Sequence, residues 1–479
     1  MTFPSSNNRH FYEGAKLTLA NRDFNHADSE FENTASAGRN TMRARARWLY
    51  GNDPIMFNID ETIKDEVIGD ELALQANTKN KSLNDAIEYR WKLYSDMNFD
   101  ISGTMYMGDF QRLILGTRMT DGEAVINSFY TKDREFPLKM QMIDVDSFAT
   151  QNNMFNEYGT GFLAKTYYDG VEVNKYGKPI GYYFETADRR IIRLNASQIT
   201  HYYQKSRSTQ VRGITEYARC IIDQKNLYAM VQAAIQTKRA RMNVAYGIES
   251  APNSTPPTGF GSGHLNQSNK TNETDERVEQ INGVAVHYLK NGEKFVTIDP
   301  KVIGDDGNDL ITAITRRTAA GRNVSYEFAF RDYTHVNRSS SRASNAGDYR
   351  MIDRSFNQFV RTIATPMYEK FVESQVLAGH LPITPTEFYA NKKEILSHTF
   401  INPEKRSTDP LEDQKVKMMK WFMGEITLKD TLAQRGIDLD TQMTQRSLEM
   451  ELLGISPRDL ILSPTMNPQL TEQKGVPVE

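Results

Sequence analysis

The stretch GITEYARCIIDQKNLYAMVQAAIQTKRARMNVAYG, Gly213–Gly247, decides how the rest of the chain is read. Ile214, Ala218, Ile221, Tyr228, Val231, Ile235 and Met242 recur close to the helical period of 3.6 residues. One helix over the whole stretch would be roughly 50 Å long. It ends in the basic cluster Lys238, Arg239 and Arg241. Cations in a last turn offset the helix dipole, which is reason enough for them to be there.

Working downstream, ESAPNSTPPTGFGSGHLNQSNKTNETDE (Glu249–Glu276) is rich in Gly, Pro, Ser and Asn and reads as a projecting loop. Its GFGSGH has no following Lys-Ser/Thr and no preceding strand, so it is not a phosphate-binding P-loop. GVAVHYL and EKFVTID read as two strands around the turn KNGE. The run GNDLITAITRRTAAGRNVSYEF reads as a helix. A polar segment follows, RDYTHVNRSSSRASN (Arg331–Asn345), and then a second long helix, Ser344–Leu377. Met351, Ile352, Phe356, Phe359, Val360, Ile363, Met367, Phe371 and Val372 give that helix a continuous apolar stripe, and Pro366 predicts a kink inside it. Three helical segments close the chain, in Asp409–Glu425, Thr427–Gly436 and Asp438–Gly454.

Working upstream, Ala124–Tyr203 is mainly β. The runs EAVINSFY, FPLKMQMID, GVEVN, IGYYFE and IIRLN alternate or are β-branched, with turn signals such as Asp169-Gly170 between them. Before them come helical patterns at Ser82–Phe99, Met107–Thr120 and Thr41–Gly69, the last with Thr41 as N-cap. Residues 1–40 are polar and Asn-rich and read as a loose arm. An acidic run, Asp60, Glu61, Asp65, Glu66, Asp70 and Glu71, reads as a solvated helix face.

The chain has 479 residues, 58 basic against 61 acidic, for a net charge of −3. That balance argues against a surface that clamps nucleic acid everywhere and leaves room for local basic patches. A single cysteine, Cys220, excludes an intrachain disulfide and a cysteine-based metal site. The eight histidines show no ligand spacing, and neither a GxSxG elbow nor a Walker A motif is present. No apolar signal-peptide core and no membrane-spanning run is found. A structural or binding protein without cofactor or metal is therefore expected. The alternatives are a metal-dependent DNA-processing enzyme using the acidic run near Asp60, and an oligomeric structural protein of another kind. Arg331, Arg338 and Arg342 have the chemistry to contact phosphates, and Ser339, Ser340 and Ser341 to donate hydrogen bonds to them. The competing reading is a surface loop whose serines cap the next helix.

Five blocks, in this order, resemble the lambda-type portal proteins of tailed bacteriophages. They are RWLYGNDPIMFNIDETIKDEVIG; KMQMIDVDSF with GVEVNKYGKPIGYYFE; RGITEYARCIIDQKNLYAMVQAAIQTKRARMNVAYGIES; TAAGRNVSYEFAFRDYTHVNRSSSRASN; and LEDQKVKMMKWFMGEITLKDTLAQRGIDLDTQM. The resemblance spans about Thr41 to Leu462. It implies an α+β portal fold of wing, stem, clip and crown, assembled as a ring, in most relatives a dodecamer. The implied division is a flexible arm (1–40), a wing (41–212), a first stem helix (213–247) and a clip (248–300). A second stem helix (301–325), a tunnel-loop region (326–343), a long kinked helix with wing return (344–400), a helical crown (401–462) and a flexible tail (463–479) follow.

The same resemblance implies a channel at one capsid vertex for packaging and ejecting double-stranded DNA. Channel-facing residues would be Arg331, His335, Arg338, Ser339, Ser340 and Arg342, with Lys238, Arg239 and Arg241. Pro256, Pro257, Phe260, His264 and Asn269 in the clip would dock the terminase large subunit and later the head–tail connector. Capsid or scaffolding protein would be a further partner. The expected location is the virion, with the host cytoplasm during assembly. Two departures stand out: Asn253–Thr274 is too rich in Gly, Pro and Asn for the helix usual in clips, and SSSRAS replaces the common SSARAS.

Overall fold

The computed structural model describes residues 31–149, 167–242, 246–249, 278–281, 284–289, 305–331, 338–405, 410–434, 437 and 439–454. The helices are α1 (Phe31–Asn52), α2 (Pro54–Val67), α3 (Lys81–Leu93), α4 (Met107–Asp121), α5 (Ile221–Met242), α6 (Asp305–Gly321) and α7 (Tyr326–Phe330). They continue with α8 (Arg338–Phe359), α9 (Thr365–Leu377), α10 (Pro385–Ala390), α11 (Lys392–Ile395), α12 (Pro410–Phe422), α13 (Leu428–Ala433) and α14 (Leu439–Leu453). The strands are β1 (Ala73–Ala76), β2 (Glu123–Tyr130), β3 (Leu138–Ile143), β4 (Tyr167–Tyr168), β5 (Val171–Val173), β6 (Pro179–Glu185), β7 (Ile191–Asn195), β8 (Ile199–Tyr203), β9 (Tyr246–Glu249), β10 (Val278–Ile281), β11 (Val284–Leu289) and β12 (His398–Ile401). The chain is thus a mixture of helices and small sheets. Its contacts divide it into two compact units, residues 1–216 with 350–479, and residues 217–349.

In the first unit the β-rich stretch falls where the alternating runs predict it. Three strands pair antiparallel in the order β3-β2-β8, and four more in the order β4-β5-β6-β7. Asp169 and Gly170 both have positive φ, at 40° and 94°, and turn the chain from β4 into β5. Val125, Phe148, Val171, Tyr182, Phe184 and Ile199 form a common core here. A second core is aromatic: Trp91 of α3 meets Phe371 of α9 edge-on at 5.1 Å, and Tyr94 lies 4.7 Å from the same ring. Burying each such ring contributes about 1.5–3 kcal/mol. That core also takes in Phe400 of β12, whose strand pairs with β1 across most of the sequence.

Several boundaries differ from the sequence reading. The helix expected over Thr41–Gly69 is two helices, and α1 begins at Phe31, inside the stretch read as an arm. The break has a local cause. Asp53 leaves the helix, its side chain accepts from Ile55 N and Met56 N, and Pro54 opens α2. Glu32 anchors the early start, since its carboxylate is buried and accepts from Val211 N at 2.6 Å.

The long helix expected from Gly213 starts only at Ile221, after a 3-10 turn at Glu216–Arg219. Gly213 is held in a backbone crossing: a Cβ there would lie 2.2 Å from Gly122 O. The kink expected at Pro366 takes the form of a π-helical turn, Val360–Ala364, just before it. Proline offers no N–H to Thr362 O, and Thr365 N reaches back five residues to Val360 O.

In the second unit α5 and α6 pack together, and β10, β11 and β9 form a three-stranded sheet. GVAVHYL pairs with the upstream strand β10 and, in parallel, with β9. EKFVTID, its expected partner, lies outside the described residues. No helix among the described residues is long and apolar enough to cross a membrane.

Candidate nucleic-acid interface

Within the second unit, α5 is built against α6. Ile221, Gln224 and Leu227 are buried on α5, as are Thr315, Thr318 and Ala319 on α6. Thr318 Oγ1 donates to Gln224 Oε1 at 3.1 Å, and Arg317 Nε meets Asp223 at 3.0 Å. Gly321 lets α6 approach Cys220, and Arg322 stacks over the Tyr217 ring at 4.9 Å. The face that carries Gln224 and Leu227 continues as Tyr228, Val231 and Ile235, and these three are exposed at 45%, 38% and 38%. Lys238 and Arg239 are exposed in the last turn. Arg241 lies in that turn, and its side chain is outside the described ones.

The polar segment Arg331–Arg342 is bracketed by two helix ends. Ser325 N-caps α7, and Arg331 ends it in the left-handed region at φ 53° with its side chain exposed. Asp348 of α8 accepts from Ser325 N at 2.8 Å and from Ser325 Oγ at 2.6 Å. Burial raises the Asp348 pKa, against the pull of the two Ser325 hydrogen bonds. Ser344 Oγ donates to Glu327 Oε2 at 3.1 Å, a second clasp between the same helices.

The placement of the arginines departs from the expected loop. Arg338, Ser339, Ser340 and Arg342 lie in the first turns of α8, which begins six residues before the expected Ser344. Serine costs a helix only about half a kcal/mol relative to alanine, so a serine-rich run does not stop one. His335 lies outside the described residues, as do Pro256, Pro257, Phe260, His264 and Asn269.

The part of the acidic run that lies on α2 is not a solvated face, whereas Asp70 and Glu71 beyond the helix are exposed. Asp60 and Glu66 are buried. Glu61 accepts from Tyr50 Oη and Lys64 Nζ, each at 2.7 Å, while Arg112 holds Glu61 and Asp65 at 3.0 and 2.8 Å. Burial works to raise the Glu61 pKa, but the hydrogen bonds from Lys64 and Tyr50 outweigh it and leave it lowered. Among the described residues no three His, Cys, Asp or Glu side chains are grouped to hold a metal.

A larger ion network went unread in the sequence. Arg39, Arg43 and Arg47 recur every four residues along α1, the first in the stretch read as an arm and the other two in the run read only as helix. Arg39 pairs with Glu32 and Asp169, Arg43 with Asp146, and Arg47 with Asp121 and Asp146. At the centre Glu123 is fully buried. It accepts two bonds from Arg212, one from Gly213 N at 2.8 Å, and faces His201 Nε2 at 3.0 Å. Burial opposes ionisation of Glu123, but Arg212 and His201 overcome it and hold its pKa well below the usual range. Burial also lowers the His201 pKa, despite the carboxylate beside it. The spacing of the three arginines was visible; their carboxylate partners, scattered over Glu32 to Asp169, were not.

The sequence model described as "Phage portal protein, lambda family" matches residues 19–355. The class is therefore that of structural virion proteins. The chain belongs to the lambda family of phage portal proteins. It is also similar to a chain in the "Neck of native GTA particle computed with C12 symmetry", at 11% identity over 83% of this chain and 92% of that one, with a TM-score of 0.38. A chain in the "Neck of empty GTA particle computed with C6 symmetry" gives 13% identity, 82% and 93% coverage, and 0.38. A chain in the "Virion of native gene transfer agent (GTA) particle" gives 12% identity, 85% and 98% coverage, and 0.38.

Proposed function

We propose that the chain assembles as a ring, twelve copies in the simplest case, around a channel at one capsid vertex through which double-stranded DNA is packaged and later ejected. The paired α5 and α6 act as the stem, residues 248–300 as the clip, residues 326–343 as the tunnel-loop region and residues 401–462 as the crown. The observation that carries this reading is the apolar stripe Tyr228, Val231 and Ile235, which continues the packed face of α5 but is exposed. A neighbouring copy is the natural cover, because a heterologous contact repeated around an axis closes into a ring. The helices of the crown support the same reading, since Leu411, Met419, Phe422 and Met423 on or beside α12 are all more than half exposed.

In such a ring the basic groups Lys238, Arg239 and Arg241, with Arg331, Arg338 and Arg342, form belts around a cylinder of phosphates. Each contact is weak and salt-screened, and their sum holds DNA while letting it slide. With −3 per chain, twelve copies would carry roughly −36, so that the rest of the wall repels the duplex. The chain has no catalytic chemistry of its own in this reading; the terminase large subunit docks on the clip during assembly in the host cytoplasm and supplies the force. The head–tail connector takes its place in the virion, and capsid or scaffolding protein contacts the outer face. Negative-stain microscopy of the purified chain tests the reading: rings with a central hole are expected, and monomers or closed shells overturn it. Particles with Arg338→Ala and Arg342→Ala should retain genomes poorly, and deleting Pro256–Asn269 should leave rings that no longer capture terminase in a pull-down.

A further inference from the structure

Arg350, Arg354, Asn357 and Arg361 follow one another along α8 and its π turn at intervals of four, three and four residues. On a helix of 3.6 residues per turn they fall within about 60° of arc and along about 16 Å of axis. All four side chains are exposed. With Asp353, Gln358 and Thr362 they line an open groove of about 630 Å³. None of the three guanidiniums has an ion pair or hydrogen bond among the described residues. The one carboxylate in the groove, Asp353, is already engaged by Lys405 at 2.7 Å and Asn402 at 2.9 Å. The groove thus gathers three arginines around a single acid that Lys405 already pairs with, on a chain whose net charge is −3.

The helix itself does not call for this arrangement. The stripe lies mid-helix, since the π turn leads directly into α9, so the helix dipole gives no reason for cations here. Like charges at i and i+4 cost a helix about 0.2–0.5 kcal/mol a pair. Arginine forks interleaved with amide and hydroxyl groups suit phosphate oxygens, which accept in any direction and arrive in a row. Along one strand phosphates follow at about 3.4 Å of axis rise, so a 16 Å stripe meets several of them.

We propose that this groove binds the phosphodiester backbone of double-stranded DNA without reading its sequence, as a site separate from Arg331–Arg342. The inference rests on the reading that the ring handles duplex DNA. The test is anisotropy of a labelled random duplex of about 30 base pairs with the assembled full-length protein, from about 50 to 200 mM salt. Changing Arg350, Arg354 and Arg361 to Ala together should weaken binding at least about tenfold at the low-salt end and lower the salt slope by about 2–3. The corresponding triple Lys variant should recover most of the affinity, because phosphate accepts any cation. Unchanged affinity and slope in the Ala variant overturns the proposal while leaving the ring reading intact, provided wild-type rings bind the duplex. Rings that fall apart in mass photometry in both variants, with no Lys rescue, make the face a contact between copies and overturn it too. A wild-type chain that neither forms rings nor binds duplex removes the underlying reading itself.

Discussion

Two helical stretches of the first unit, α1 and the part of α8 from Arg350 onward, carry arginines at the same spacing, and they meet opposite fates. On α1, Arg39, Arg43 and Arg47 each find carboxylates, and the first two are almost fully buried. On α8, Arg350 and Arg354 repeat the interval of four, and with Arg361 they stay exposed and without an acid partner among the described residues. The difference lies in what folds against each helix. The end of α4, the start of β2, the segment after β3 and the β4–β5 turn bring Asp121, Glu123, Asp146 and Asp169 to α1, whereas the groove on α8 holds a single acid, Asp353, and Lys405 engages it. A buried arginine must be matched because an unmatched charge in the interior costs several kcal/mol. An exposed one is free to be matched by something outside the chain.

The sharpest way to break this comparison is at Glu123. Glu123→Gln leaves Arg212 buried against a neutral amide and should cost about 3–5 kcal/mol, read as a fall in the urea midpoint of this unit. An unchanged midpoint would mean that the network is not a stabilising hub. Next comes Gly213→Ala. The added methyl meets Gly122 O at 2.2 Å, backbone against backbone, so loss of soluble protein or a fall of more than about 2 kcal/mol is expected.

A smaller effect concerns His201. Its folded pKa is depressed, so the unfolded chain takes up a proton below about pH 6.5 that the folded chain refuses, and stability falls as pH drops, by at most about 1.4 kcal/mol per unit. Glu123, also depressed, contributes stability that is complete above about pH 4.3 and is lost on further acidification. His201→Asn should therefore flatten denaturation midpoints between about pH 6.5 and 5 and leave the steep fall below about 4.3. The smallest stability change is expected from Val231→Asp with Ile235→Asp. Both sites are exposed, so the monomer should shift by no more than about 0.5 kcal/mol per site, yet rings should vanish in the microscope if a second copy covers the stripe.

Much of the fold was legible because local patterns carried it. EAVINSFY is strand β2 from end to end, and Met107–Thr120 is α4 to within one residue. Pro366 marked the irregular turn in the long helix, since a missing N–H acts where it stands. The helix starts were harder. The early start of α1 depends on Glu32 reaching Val211 N, and the late start of α5 on Gly213 crossing Gly122. Both are contacts between distant segments. The candidate site was legible in part: the basic groups near Lys238 and Arg331 were found from composition, but Arg338–Arg342 was read as loop because serines suggest turns, whereas α8 absorbs them.

By itself the sequence determined the element types over most of the described chain, the α+β character, and the order of blocks that resembles the lambda-type portals, because period, turn residues and prolines act within a few neighbours. Only the tertiary structure decided which charges are spent internally. Glu61 and Asp65 turn out to be matched by Arg112 and Glu123 by Arg212, while Arg350, Arg354 and Arg361 do not find an acid among the described residues. Charge pairing falls off over a few ångströms, and residues that far apart in space are here separated by tens of positions along the chain.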